Sequence, residues 1–324
     1  MCVGFWTLDD PEYALILCAN RDEFLSRPAT AAAFHHAFSP NPNTSPTSGA
    51  IRVLSGLDAE AGGTWLGVAP STGRIALLTN ITEPAPVPMP PRSRGELGAL
   101  FLAQKSSSAD FGLGLDELYP KDGKYAGFNM LLLQANERSE EIEFTPNGAA
   151  LVSNGGAHGP IAHRVLRDDE RALGGLSNGI QVTNTAGESW LKVATGREKF
   201  RATIDAFRGR QELDLAHEKD LALASSLFAL LRTPPAQPPT KREELRNAIC
   251  VPPLPIAVGR YKGYYATRTA TVVLIRRKGG DGLFAERDVW GLDQKEGEEA
   301  GVSLRDGEDG QRVLRFRVGE GDCQ

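Results

Sequence analysis

Met1-Cys2-Val3-Gly4-Phe5-Trp6-Thr7-Leu8, then Asp9-Asp10-Pro11, then Tyr13-Ala14-Leu15-Ile16-Leu17-Cys18-Ala19 and Asn20-Arg21-Asp22-Glu23 open the chain, and their reading decides the fold. Two apolar runs rich in aromatic and branched residues flank a turn signal, which predicts an antiparallel hairpin of strands over 2–8 and 13–19. Pairing about that turn sets Cys2 opposite Cys18 or its neighbour. The polar run 20–23 then leaves the second strand beside the chain terminus.

Cys2 is the residue with chemistry to offer. Cysteine is small enough for Met1 to be trimmed, and the new α-amine would titrate at about 7.7 to 8.0 beside a thiol near 8.5. A terminal amine can accept the proton of a neighbouring nucleophile. Arg21 would favour the thiolate, and Asp22 would hold the ammonium or orient the amine. Two plainer readings stand beside these: Cys2 as a small buried residue opening a strand, and 20–23 as a charged turn whose ion pairs face water.

Working outward, 324 residues with 41% hydrophobic and 24% charged side chains suit one large domain over 1–324 with a sizeable core. A formal charge of −5 argues against nucleic acid as the main partner. Residues 39–50 and 82–92 are Pro-rich connections. Ser93 to Glu96 fits a capping box that starts a helix carrying Leu97, Leu100 and Phe101. An amphipathic helix is expected over 189–209, with Trp190, Val193, Phe200, Ile204 and Phe207 near one face. Its basic residues Lys192, Arg197, Lys199, Arg201 and Arg208 read as a solvated face, or as a contact for anionic lipid or a phosphate-bearing ligand such as coenzyme A. A further helix is expected over 218–232, closed by Pro234-Pro235. Strands are expected over 63–69, 73–79, 128–134, 268–276, 282–290 and 312–318. The stretch 293–310, with seven acidic residues against Lys295 and Arg305, reads as a solvated loop.

Cys2, Cys18, Cys250 and Cys323 form no C-x-x-C pair, and the first residues lack a basic start and a long apolar core, so a reducing, cytoplasmic setting is expected. Leu223 to Leu231 is too short to span a membrane. Association with Golgi or mitochondria would come from partners or peripheral membrane contact. The histidines 35, 36, 158, 163 and 217 have no metal-ligand spacing, and neither a serine elbow nor a phosphate loop is present. No metal and no resident cofactor is expected.

Taken together, Met1-Cys2, Asn20-Arg21-Asp22-Glu23-Phe24 and Ser26-Arg27-Pro28 resemble the amino terminus of the transport and Golgi organization protein 2 family, called NRDE after its tetrapeptide. Further matches follow in order: Leu54-Ser55-Gly56-Leu57-Asp58, Gly63-Thr64-Trp65-Leu66-Gly67, Leu78-Thr79-Asn80, Arg94-Gly95-Glu96-Leu97, Gly127-Phe128-Asn129, Gly175-Leu176-Ser177-Asn178 and Thr267-Arg268-Thr269. None of these motifs is specific by itself; their order along nearly the whole chain is.

The resemblance implies an α+β fold, an N-terminal nucleophile hydrolase-like four-layer αββα sandwich with two antiparallel sheets. By similarity to the cysteine amidases of that fold, which cleave conjugated bile acids and penicillin V, Asn80 looks like an oxyanion donor, Asn178 a second polar contact and Arg268 a basic residue near the nucleophile. Read alone, Asn80 and Asn178 equally fit turn-closing residues, and Arg268 a surface ion pair at a strand entrance. In those amidases the arginine and aspartate flank two other residues, whereas Arg21 and Asp22 adjoin, which leaves the position of Arg21 open.

Two expectations about function follow. One is hydrolysis of an acyl amide or thioester through Cys2, with Arg21, Asp22, Asn80, Asn178 and Arg268 around it. The other is a non-catalytic binding or trafficking protein for a lipid-like, acyl-CoA or haem ligand, haem being cargo. The family's links to Golgi organisation, secretion, lipid homeostasis and haem trafficking fit either.

Overall fold

The computed structural model describes residues 1–36, 51–83, 92–105, 115, 118–119, 124–138, 140–180, 190–209, 215–259, 261–293, 301–305 and 310–320. The Pro-rich connection 39–50, most of 82–92, Cys323 and much of 293–310 lie outside the described residues.

Runs of apolar residues, buried on both faces in the central strands, build two seven-stranded antiparallel sheets. Across the first run β12 (Gly174–Leu176), β1 (Val3–Thr7), β2 (Tyr13–Phe24), β14 (Tyr261–Arg276), β15 (Asp281–Asp288) and β18 (Gln311–Arg317), with β13 (Leu254–Val258) also paired to β14. Across the second run β11 (Ala162–Val165), β10 (Ala149–Ser153), β7 (Phe128–Gln134), β6 (Arg74–Asn80), β5 (Leu66–Ala69), β4 (Arg52–Asp58) and β3 (Ala29–His36). Two small ribbons, β8 (Asn136–Arg138) with β9 (Glu141–Glu143) and β16 (Trp290–Leu292) with β17 (Val302–Leu304), complete the strands described.

Period-two patterning explains the layering. Leu15, Leu17, Val273 and Ile275 of the first sheet share one core with Leu66, Val68, Ile75, Leu77 and Leu131 of the second. The opposite face of the first sheet, with Val3, Phe5, Ile16, Val272 and Leu274, packs on Val193, Phe200 and Ile204 of helix α2 (Leu191–Arg208) and Leu223, Leu227 and Leu231 of helix α3 (Ala216–Leu231). The far face of the second sheet, with Ala76, Leu78, Met130 and Leu132, covers Leu97, Phe101 and Leu102 of helix α1 (Gly95–Leu102). The result is an α+β sandwich ordered helix, sheet, sheet, helix. Among the described residues no helix is long and apolar enough to cross a membrane.

Several expectations shift. Val3 pairs with Asn20 and Phe5 with Cys18, so continuing that register sets Cys2 opposite Arg21 rather than Cys18. The connection spans Leu8 to Glu12, where the Asp10 carboxylate accepts from the Glu12 and Tyr13 amides at 2.8 and 2.9 Å. Asn20 to Glu23 does not leave the strand either. Its other edge pairs with β14, Asn20 against Ala270 and Asp22 against Thr267, which keeps the polar run in the sheet.

Strand β14 likewise begins at Tyr261, and Arg268 sits mid-strand at a register shift between Thr267 and Thr269 rather than at an entrance. A bulge of this kind re-aims a side chain. Strand β5 starts at Leu66 because Gly62 and Gly63 turn the chain with φ of 72° and 77°, and a Cβ on Gly63 would lie 2.3 Å from the Gly95 carbonyl carbon. Ser93 does not cap α1: the N-cap is Arg94, and Glu96 pairs with Arg92 at 2.7 Å.

Candidate functional site

The site grows from three adjacent strands, β1, β2 and β14. Alternation along β2 directs Asn20 and Asp22 to the helix face and Arg21 to the face between the sheets. Asn20 donates to the carbonyls of Leu231 and Ile249 at 2.8 and 2.9 Å, so it ties the strand to the end of α3 and does not meet Cys2. The Asp22 side chain is fully buried, accepts from Thr267 Oγ1 at 2.6 Å and stands 3.6 Å from the Met1 ammonium.

Met1 fills the adjoining space on that face. It is buried against Leu245, Ala248, Val251 and Leu254. Its ammonium also donates to Tyr265 Oη, and Tyr265 Oη donates to the Asp22 carbonyl at 2.8 Å. Lys192, 1% exposed, donates to the Met1 carbonyl at 2.6 Å. Lys192 is therefore not on the solvated face of its helix, where sequence alone set it; Lys199, Arg201 and Arg208 are. Burial lowers the pKa of the Met1 amine and of Lys192, each opposed by the charge of Asp22. Burial raises that of Asp22, opposed by the Met1 ammonium and Lys192.

Cys2 lies on the other face, half-buried, with its thiol 3.9 Å from the Asp22 carbonyl oxygen and its own carbonyl accepting from Ser177 Oγ at 2.7 Å. It lines a cavity of about 100 Å³ with Arg21, Asp22, Trp65, Asn80 and Arg94 among its walls. Arg94 donates to the Gly127 carbonyl at 3.1 Å. Burial lowers its pKa, which the charges of Glu23 and Cys2 partly restore. Asn80 ends β6 with its side chain half-exposed at this cavity. The other described cysteines differ from Cys2: Cys18 and Cys250 are buried, and burial pushes the Cys18 thiol up and the Cys250 thiol up to about 11.

A second, larger cavity of about 830 Å³ adjoins the first, sharing Arg21 and Trp65 as walls. The Arg21 guanidinium stacks 4.1 Å from the Trp65 ring centroid. Arg268 opens into this larger cavity, and it also donates to the Arg27 carbonyl.

Of the six sequence candidates, Cys2, Arg21, Asp22 and Asn80 meet at the small cavity. Arg268 meets Arg21 at the large one, and Asn178 lines neither. Asn178 is buried behind Ser177, whose hydroxyl lies 3.4 Å from its Oδ1. Sequence reasoning missed Arg94, Trp65, Lys192, Tyr265 and Thr267. The Arg-Gly-Glu-Leu and Gly-Thr-Trp-Leu-Gly motifs held the signal for the first two. Nothing local marked Lys192 or Tyr265. Among the described residues no cluster of three His, Cys, Asp or Glu side chains is set to hold a metal.

Fold and site together define an α+β sandwich whose near-terminal cysteine opens into a cavity walled by three arginines and an asparagine. Comparison places it further: a sequence profile described as Transport and Golgi organisation 2 matches residues 1–291, and the chain belongs to that family. It is 31% identical over 307 residues to the Transport and Golgi organization protein 2 homolog of Bos taurus, covering 90% of this chain and 95% of that one. The Homo sapiens homolog is 30% identical over 307 residues with the same coverage. The Drosophila melanogaster Transport and Golgi organization protein 2 is 31% identical over 164 residues, 48% of this chain and 51% of that one.

Proposed function

We propose that this chain is a cysteine N-terminal nucleophile hydrolase acting on an acyl amide or thioester. The observation that carries the reading is the position of Cys2: a half-buried thiol at the wall of a cavity that also holds Arg21, Asn80 and Arg94. Loss of Met1 would convert the peptide nitrogen of Cys2 into a free amine on the same residue as the thiol. In the reaction, the Cys2 sulfur bonds to the carbonyl carbon while its proton passes to that amine. The oxyanion accepts from the Asn80 amide, a contact of the kind worth about 3 to 4 kcal/mol. The amine returns the proton to the leaving nitrogen or sulfur, and water then cleaves the acyl thioester to free the acid and restore Cys2.

The test is a panel of medium-chain acyl p-nitroanilides and acyl thioesters read by release of the leaving group. Cys2→Ala should abolish turnover while leaving the melting temperature near that of the parent. Full turnover in Cys2→Ala overturns the reading.

One observation favours a second reading, a carrier for a lipid-like, acyl-CoA or haem ligand that releases no product. Met1 is buried and held by Asp22, Tyr265 and Lys192, and while it stays, Cys2 has no free amine. Intact mass of protein purified from its own cells separates the two: loss of the Met1 mass supports the hydrolase, retention the carrier. In either case the family name attaches the chain to Golgi organisation, and its compartment, a cytoplasmic one in our reading, is tested by fractionation.

A further inference from the structure

The large cavity is lined by two arginines, Arg21 and Arg268, that make no ion pair among the described residues. Arg21 is 5% exposed, and its Nη1 has no hydrogen-bond partner among the described residues. Its side chain stacks on Trp65 but makes no ion pair among the described residues. Arg268, at the bulge in β14, donates to the Arg27 carbonyl and to no carboxylate among the described residues. Both arginines line this cavity, and burial and the charge of Arg21 lower the Arg268 pKa against the opposing charges of Glu23, Asp288 and Asp58. Thr269 Oγ1, at the same wall, is also buried without a partner. A buried charge is costly unless it is paired.

The acids around the cavity are already engaged. Glu286 accepts from Arg312 at 3.0 Å and from the Ala32 amide at 2.9 Å. Asp288 takes both Arg312 guanidinium nitrogens at 2.7 and 3.0 Å. Asp293 pairs with Arg305 at 3.1 Å and accepts from Ser303 at 2.6 Å. What remains is a pair of guanidiniums and a hydroxyl, on walls where Leu25, Ala29, Trp65, Trp290 and Leu292 stand beside Ser26, Thr30 and the engaged acids.

We propose that this cavity binds a carboxylate on an otherwise apolar ligand, the carboxylate seated between Arg21 and Arg268 with Thr269 as a third donor. Guanidinium forks match a planar carboxylate bidentately. A single negative charge fits better than a phosphate dianion, because Glu286, Asp288 and Asp293 ring the same space and repel added charge. Since Arg21 and Trp65 belong to both cavities, the ligand's uncharged part extends along Trp65 toward Cys2. On the hydrolase reading, and resting on it, the substrate class becomes an acyl compound bearing a free carboxylate.

The experiment is calorimetric titration of the Cys2→Ala protein, in which turnover plays no part, with decanoate, decyl phosphate and decyltrimethylammonium. Decanoate is expected to bind, with Arg21→Met and Arg268→Met each weakening it tenfold or more and Thr269→Val several-fold. Decyltrimethylammonium is expected not to bind, and decyl phosphate to bind more weakly. Arg21→Met should also melt higher than its parent without ligand, because it removes an unpaired buried charge; a purely structural arginine would lower the melting temperature instead. Failure of decanoate to bind, unchanged affinity in Arg21→Met, tighter binding of decyl phosphate, or a lowered melting temperature in Arg21→Met overturns the proposal. Should Arg21→Met not fold, that too counts against it, and Arg268→Met carries the binding comparison. None of these outcomes depends on whether Cys2 is a nucleophile.

Discussion

Replacing Asp22 by asparagine keeps the shape of a fully buried side chain and its hydrogen bond from Thr267 at 2.6 Å, and removes only the charge. That charge answers two buried cations, the Met1 ammonium at 3.6 Å and Lys192. Breaking a buried ion pair by removing one partner costs about 3 to 5 kcal/mol, and Asp22→Asn is expected to lose that much in urea unfolding. Lys192→Met alone orphans the Met1 carbonyl and should cost about 1 to 3 kcal/mol. In the Asp22→Asn background the same change removes an unpaired cation, so it should stabilise.

The pH dependence follows from the same lysine. Burial lowers its pKa in the fold, and loss of Asp22 lowers it further, while the unfolded chain keeps the proton up to about pH 10.4. The unfolded state then binds more protons, so the stability of Asp22→Asn climbs as the pH rises toward about 10.4 more steeply than that of the parent. Additive costs in the double variant, or a slope no steeper than the parent's, would refute an electrostatic cluster of Met1, Asp22 and Lys192.

Two further outcomes follow from burial. Brief iodoacetamide treatment of the native protein, read by peptide mass spectrometry, should label Cys2 and spare Cys18 and Cys250, whose thiols are buried and hard to ionise; labelling of Cys18 at the rate of Cys2 would contradict the packing. Gly196→Ala adds about 1 kcal/mol of helix propensity to α2, yet its Cβ would sit 2.1 Å from Phe5 Cζ. Overpacking at about 1 to 3 kcal/mol should win, giving a net loss of up to roughly 2 kcal/mol in urea unfolding, whereas a gain would show that Phe5 yields.

The chain's local patterns determined much. The apolar runs of 13–19, 73–79, 128–134 and 282–290 mark strands whose two faces are both buried between layers, and the 3.6-residue spacing of Val193, Phe200 and Ile204 marks a helix that covers the first sheet. Cys2, Arg21, Asp22 and Asn80 stood out as polar residues bordering apolar strands, and family motifs carried the rest of the resemblance. Tertiary structure alone decided where the charges went. Asn20 to Glu23 reads as a turn until β14 pairs with its free edge, because strand propensity is satisfied by a partner some 250 residues away, at Thr267 to Ala270. Lys192 reads as solvated until the Met1 carbonyl meets it at 2.6 Å, and Arg268 as a strand entrance until a bulge turns it toward Arg21. Period and propensity act over a few neighbouring residues, whereas pairing of a buried charge is settled by elements that the chain brings together only on folding.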